Sequence, residues 1–293
     1  MRATNILVLL AVLIATSSVL ADRGSVPFDT TVEIYEPHQR ALIAWNGTEQ
    51  IMIMSTDLRA SKNTKVLEIL PLPSRPDVTE ADVEIFRKVT NLINKKLAEQ
   101  PKTREEEEGR VQPDFAGTLI FYKQIGVHEI SLTHANDKNR FVEWANSYLR
   151  SLGVESPSIP EALTEVIQQY IEDGYSWFAF DVVSLGPELT TSDAVQYRFK
   201  TDALYYPLRI TRTETGYTRI DLQVITSLRL KQFPALHPDR VALLHEPVEL
   251  NTFELREISP EIDELLNNPA SCILRLWQIQ GTLSGFRQDL IAK

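Results

Sequence analysis

The sequence predicts an α+β fold built mainly on antiparallel sheets, with about three or four packed helices. Three observations predict it. Strand-like and helix-like stretches come in clusters, not in strict βαβ alternation. Asn46-Gly47 separates two apolar runs, the short-range signature of a hairpin. Three stretches further on repeat apolar side chains at helical spacing.

The elements follow in order. Thr31 to Tyr35 alternates, Ala41 to Trp45 is apolar, and Gln50 to Met54 returns after Asn46-Gly47, whose residues suit a type I′ turn with positive φ at both positions. Asn46-Gly47-Thr48 is also an N-glycosylation sequon, read here as a turn. Val66 to Leu70 is a further strand, and Pro71, Pro73 and Pro76 break the pattern after it. Thr79 and Asp82 resemble a capping box for a helix carrying Ile85, Phe86, Val89, Ile93 and Leu97. Glu99 to Pro113 contains four consecutive Glu, Glu105 to Glu108, and reads as a solvated acidic loop or frayed helix end. Thr118 to Thr133 forms one or two strands broken at Gly126. Asn136 or Asp137 caps a helix with Phe141, Trp144, Tyr148 and Leu149, ending near Gly153. A third helix places Leu163, Val166, Ile167, Tyr170 and Ile171 on one face, with Gly174 as its stop. Strands are then expected at Trp177 to Leu185, Ala194 to Thr201, Tyr205 to Thr213, Ile220 to Leu230 and Glu249 to Ile258. A short helix opens at Ser259-Pro260-Glu261, and a strand covers Ile273 to Thr282.

Of the 293 residues, 43% are hydrophobic and 24% charged, the composition of a folded soluble protein. Thirty basic against 40 acidic side chains give a net charge of −10. That excess of acid argues against nucleic acid, which needs clustered Lys and Arg. A single Cys excludes an intrachain disulfide and a multi-thiolate metal site.

Arg2, the apolar run Ile6 to Ala15 and the small residues up to Ala21 follow the three-part plan of a secretory signal. Val19 and Ala21 stand where a signal peptidase reads small side chains, so residues 1–21 are expected to be the signal and 22–293 the mature chain. Retained, the same segment would be an N-terminal anchor, although the run falls short of the roughly twenty residues of a membrane span. The mature chain is expected to be a single α+β domain, or two halves divided by the acidic loop near 100–113.

No local motif identifies a reaction. His237-Pro238-Asp239 and His245-Glu246 hold two imidazoles and acids that could ligate a metal. They lack the helical His-Glu-x-x-His spacing, and Pro234, Pro238 and Pro247 make the segment a surface loop. His128-Glu129 and His134 with Asp137 are a second candidate, but six residues along a straight strand separate the rings by about 20 Å. An edge-of-sheet polar pair is the reading there. Ser184-Leu185-Gly186 is a strand exit and not a nucleophile elbow. Paired carboxylates of the glycosidase kind leave no local signature, and Glu172-Asp173 is an ordinary helix end. Tyr175, Trp177, Phe178, Phe180, Tyr197, Phe199, Tyr205 and Tyr206 concentrate aromatic rings in the central third. An exposed platform of this kind could bind sugar or peptide. Core packing is the preferred reading, with Trp177 to Leu185 a central strand covered on both faces. Arg209 and Arg212 either hold an acidic group or are solvated. Cys272, among apolar neighbours, reads as a buried structural thiol, with an intermolecular bridge or a reactive thiol as the alternatives.

Several segments carry a family resemblance together. They are Glu36-Pro37-His38-Gln39-Arg40-Ala41 through Trp45-Asn46-Gly47, Leu70-Pro71-Leu72-Pro73-Ser74, Ala135-Asn136-Asp137, Tyr170-Ile171-Glu172-Asp173-Gly174-Tyr175, Tyr205-Tyr206-Pro207-Leu208-Arg209, and Gly281-Thr282-Leu283 with Asp289-Leu290. In their order they resemble the exported prokaryotic proteins of domain-of-unknown-function family 2330, over most of the mature chain. Many members carry Cys soon after the signal and a C-terminal anchor, which this sequence does not show. The resemblance implies export and an α+β fold; it implies no reaction and no catalytic residues.

The expectation is therefore an exported, extracytoplasmic, non-enzymatic module that binds a protein or small-molecule ligand, with no cofactor, metal or nucleic acid assigned. Membrane contact is expected only if residues 1–21 are retained. The alternative is an extracytoplasmic hydrolase whose site assembles only in three dimensions. A structural component of an envelope assembly is a third reading.

Overall fold

The computed structural model describes residues 24–99, 129–227, 230 and 238–293, leaving out positions 30, 136, 215, 268 and 270. Expectations for residues 1–21, Glu105 to Glu108, His128 and His237 lie outside the described residues; so does the 118–128 part of the strand expected up to Thr133.

The chain runs through β1 (Gly24–Pro27), β2 (Ile34–Trp45), β3 (Glu49–Ala60), β4 (Thr64–Leu72), β5 (Asp77–Ala81) and helix α1 (Glu84–Glu99). Next come β6 (Glu129–His134), α2 (Lys138–Ser151), α3 (Glu161–Glu172), β7 (Trp177–Leu185), β8 (Thr190–Thr191), β9 (Ala194–Lys200), β10 (Leu204–Tyr206) and a 3-10 turn at Arg209–Thr213. After them stand β11 (Tyr217–Thr226), β12 (Val241–Leu243), β13 (Val248–Asn251), α4 (Thr252–Ile258), α5 (Pro260–Leu265), β14 (Ser271–Thr282) and β15 (Leu290–Ala292). This is the α+β class. One sheet orders its strands β12-β14-β11-β2-β3-β9-β5, with β13 also on β14 and β8 on β3; the other orders β1-β4-β7-β6. Strands β10 and β15 form a separate pair. Pairing is antiparallel throughout except between β11 and β2.

The alternation of side chains along each strand stacks these elements in layers. Ala41, Ile43, Met52, Met54, Leu222 and Ile279 point from the larger sheet toward Leu70, Leu72 and Ala179 of the smaller, and a core closes between the two sheets. The opposite face, with Leu42, Ile53, Ile225 and Cys272, packs under Phe86 and Val89 of α1, Leu255 of α4 and Ile262 of α5. The far face of the smaller sheet sets Leu67, Ile69, Phe178 and Phe180 against Phe141 and Leu149 of α2 and Val166 and Tyr170 of α3. Strand β7 is thus covered on both faces, as its double apolar pattern predicted. Each fully buried Leu, Ile or Phe in these layers contributes about 1.5–3 kcal/mol.

Helix α2 starts where Asp137 accepts hydrogen bonds from Asn139 N and Arg140 N, both at 3.0 Å. Gly174 takes a φ of 91° after α3, as a glycine stop requires.

Four expectations are corrected. At the β2–β3 hairpin only Gly47 has positive φ, so the turn is not type I′; the Asn46 carboxamide oxygen instead accepts from Thr48 N and Glu49 N. Strand β4 continues through Pro71, because Leu70 to Leu72 pair with Trp177 to Ala179 and their burial outweighs one missing donor. The expected strand Tyr205 to Thr213 stops at Tyr206: Pro207 cannot extend the ladder, and the chain winds into the 3-10 turn. The expected strand Glu249 to Ile258 becomes helix α4 after Asn251, where Asn251 and Glu254 form a reciprocal capping box.

Candidate functional site

The solvent-reachable polar centre lies on the larger sheet, on the side that carries α1, α4 and α5. Its construction starts with a slip in strand β2. The β2–β3 register shifts between Tyr35 and His38, and Pro37, which has no N–H for a ladder, stands inside the shift. Counting by twos from buried Ile34 and Glu36 would turn His38 into the core. The extra residue sends Gln39 inward, fully buried, and swings His38 and Arg40 to the outer face.

There His38 meets acids from both neighbouring strands. Its Nε2 lies 2.8 Å from Asp221 Oδ2 on β11, and its Nδ1 lies 3.6 Å from Asp57 Oδ2 on β3. Arg40 donates both terminal nitrogens to the two Asp57 oxygens at 3.0 Å each, a two-pronged ion pair. Thr191 on β8 donates to Asp57 at 2.7 Å. Arg219 Nε lies 3.3 Å from Asp221 Oδ1, and Gln278 on β14, its amide oxygen turned toward Arg219, accepts at 2.8 Å. The result is a row of alternating charge, Arg219–Asp221–His38–Asp57–Arg40, laid across β11, β2 and β3.

Burial alone would raise the Asp57 carboxyl, but the bonds from His38 and Arg40 outweigh it and hold the group well below the usual carboxylate range. Asp221 is lowered by the same contest between burial and His38. Burial disfavours the His38 cation, yet Asp221 and Asp57 prevail and raise its pKa above the ordinary imidazole value. The ring keeps 17% of its side-chain surface exposed.

A second polar centre is enclosed. Asp289 Oδ1 accepts from Tyr170 Oη at 2.6 Å and from the backbone amides of Leu208 and Arg209 at 2.9 Å each. The Arg209 guanidinium lies 3.7 Å from Asp289, pairs with Asp173 and stacks 4.0 Å over the Tyr170 ring. Burial raises the Asp289 carboxyl, opposed by the bond from Tyr170. Burial also lifts Tyr170 well above the usual phenol range, so it stays a donor. Three of the family-like segments converge here: the end of α3, Tyr205 to Arg209, and Asp289. A fourth arrives through Tyr205 Oη, which donates to Pro71 O at 3.1 Å.

The residues singled out from the sequence are dispersed. His134 is exposed on β6 with its ring 5.0 Å from Trp177. His245 lies beyond β12, its Nδ1 2.6 Å from Glu246 O. His134 lies in a strand of the smaller sheet and His245 in the bend between β12 and β13, and Asp137 is occupied as a helix cap. Arg209 holds an acidic group, but that group is the chain's own Asp173 and Asp289. Arg212 reaches Gln169 Oε1 at 2.6 Å. Phe178, Phe180, Tyr197, Phe199, Tyr205 and Tyr206 are buried, and Tyr175 and Trp177 half-buried, which is core packing. Cys272 is 1% exposed, and burial pushes its thiol up to about 12. An open groove of about 560 Å³ between α2 and α3 is lined by Lys138, Glu143, Ile159, Glu161 and Glu165.

His38 is the group that sequence reasoning passed over. It appeared within a family-like segment, but its partners stand 19 and 183 positions away, so nothing local marked it. The spacing of His38 and Arg40 by two was the one signal present, since it placed both on one strand face.

The family of bacterial proteins described as uncharacterised and conserved in bacteria (DUF2330) matches residues 23–242. No curated protein matches the chain. Among solved structures, a mutated baculovirus P35 after caspase cleavage is similar at 10% identity, over 74% of this chain and 75% of that one, with a TM-score of 0.36.

Proposed function

The chain belongs to this family of uncharacterised bacterial proteins, and from that premise we propose that it is an exported, non-enzymatic module binding a protein or small-molecule ligand outside the cytoplasm. The signal-like pattern of residues 1–21 supports export. The observation that carries the non-enzymatic reading is His38. Its Nε2 is engaged by Asp221 and its Nδ1 faces Asp57, so the imidazole ties strands together where a general base would need a free nitrogen directed at substrate.

One observation favours the second reading, an extracytoplasmic hydrolase: a partly exposed imidazole oriented by a carboxylate is half of a base-and-orienter pair. One experiment separates the two. The exported protein is purified, its N-terminus sequenced, and its thermal unfolding followed with divalent metals, sugars and envelope peptides. Ester, peptide and glycoside turnover is measured in parallel. A ligand at a hundredfold excess over Kd adds about 2.7 kcal/mol of stability. Stabilisation by sugar or peptide without turnover, on a chain beginning at Asp22, supports the module. Turnover that His38→Gln abolishes in a folded variant overturns it.

A further inference from the structure

We propose that Asp57, His38 and Asp221 form a pH-operated clasp that closes the bulged end of β2 onto both neighbouring strands when the imidazole is protonated and releases it when the proton leaves. The geometry carries this. The ring lies between carboxylates from β3 and β11, and only the imidazolium has a proton on each nitrogen to present to both. In the neutral ring one lone pair faces a carboxylate, and attraction on that side becomes repulsion. The proton exchanges with solvent, which reaches the partly exposed side chain.

The clasp sits where the fold depends on it. His38 is the first β2 residue after the register shift and opens the parallel ladder to β11, opposite Arg219. Before the shift, Ile34 and Tyr35 pair only with Ala60 and Arg59. Releasing His38 therefore loosens the bulge without unpicking either ladder's interior.

The charged groups acting on the ring are Arg40 on its own strand, Asp57 from β3 and Asp221 from β11; behind those acids stand Arg219 from β11 and the neutral Thr191 and Gln278 from β8 and β14. Arg40 and Arg219 oppose protonation, but each is matched to a carboxylate of the row. The acids win, and His38 is shifted upward. A group raised in the folded state contributes stability that is fully present below its unfolded value of 6.5 and disappears as pH rises through the folded value.

The test is a titration of the full protein from pH 5 to pH 9. NMR follows the His38 ring and the backbone amides from Tyr35 to Arg40, and urea unfolding is measured at each pH for the wild type and His38→Gln. The expected ring midpoint lies above 6.5, and the amides shift with the same midpoint. The ratio of wild-type to variant folding constants should fall with rising pH, about tenfold for each unit by which the ring titrates above its unfolded value. A midpoint at or below 6.5, still amides, or a ratio constant with pH overturns the clasp. Should His38→Gln not fold, Asp221→Asn replaces it: the His38 midpoint must then drop, and an unchanged midpoint overturns the proposal.

Discussion

Replacing Asp289 removes the acceptor shared by Tyr170 of α3 and the Leu208 and Arg209 amides at the start of the 3-10 turn, and the structure predicts how the cost divides. In Asp289→Ala, the Tyr170 hydroxyl and the amides of Leu208 and Arg209 all lose Oδ1, and Arg209 loses one of its two acids. Each donor stranded in a buried site costs about 1–3 kcal/mol. Water admitted to the vacated space recovers part of that, so the expected loss is about 3–5 kcal/mol, the range for breaking a buried charged pair. Against a total stability of about 5–15 kcal/mol, this brings the fold close to its threshold. Asp289→Asn separates hydrogen bonding from charge. All three bonds go to one oxygen, which Asn keeps, while its amide nitrogen replaces the oxygen 3.7 Å from Arg209. Its expected cost is about 1–2 kcal/mol, that of a loosely paired charge. Urea unfolding at constant m value reads both. Refutation would come from Asp289→Ala within about 1 kcal/mol of the wild type, or from Asn costing as much as Ala.

Three further outcomes are expected. Gly174→Ala should destabilise by about 1–2 kcal/mol, the backbone cost of a left-handed Ala at φ 91°, since no atom lies within 4 Å of the added methyl; thermal unfolding checks it. Native Cys272 should resist iodoacetamide at pH 8, where a thiol pushed up to about 12 is hardly ionised, and react fully in urea; labelling followed by mass spectrometry reads the difference, and non-reducing electrophoresis should show no disulfide-linked dimer. Asp57 and Asp221 are lowered in the folded state, so their stabilisation is present above the unfolded value of 3.8 and lost as pH falls through the folded values. Acid unfolding below pH 4 should therefore be shallower in Asp57→Asn than in the wild type.

Legibility in the sequence followed the range of the interaction. The ends of β7, Trp177 and Leu185, could be read directly because nine residues with apolar side chains on both faces announce a doubly covered strand. The apolar face of α3 and the Asp137 cap of α2 were readable for the same reason: helix periodicity and capping act within about four residues. Misreadings arose where a local preference met a tertiary partner. Pro71 by itself predicts a break, yet β7 offers Phe178 and keeps it in the ladder. The apolar pattern from Glu249 predicts one strand, although the Asn251–Glu254 capping box is a local signal for the helix that forms there.

The sequence by itself determined the α+β class, the amphipathic faces of α1, α2 and α3 and the burial of Cys272, because each depends on neighbours a few positions apart. Tertiary structure alone decided which way His38 points, since one extra residue in β2 reverses the face of every side chain from His38 onward relative to Ile34 without changing composition. It also decided that Asp289 answers to Tyr170, 119 positions away, and that Asp221 answers to His38 across 183. Polar partners meet through space and are indifferent to the length of chain between them, so only the packed fold could bring them together.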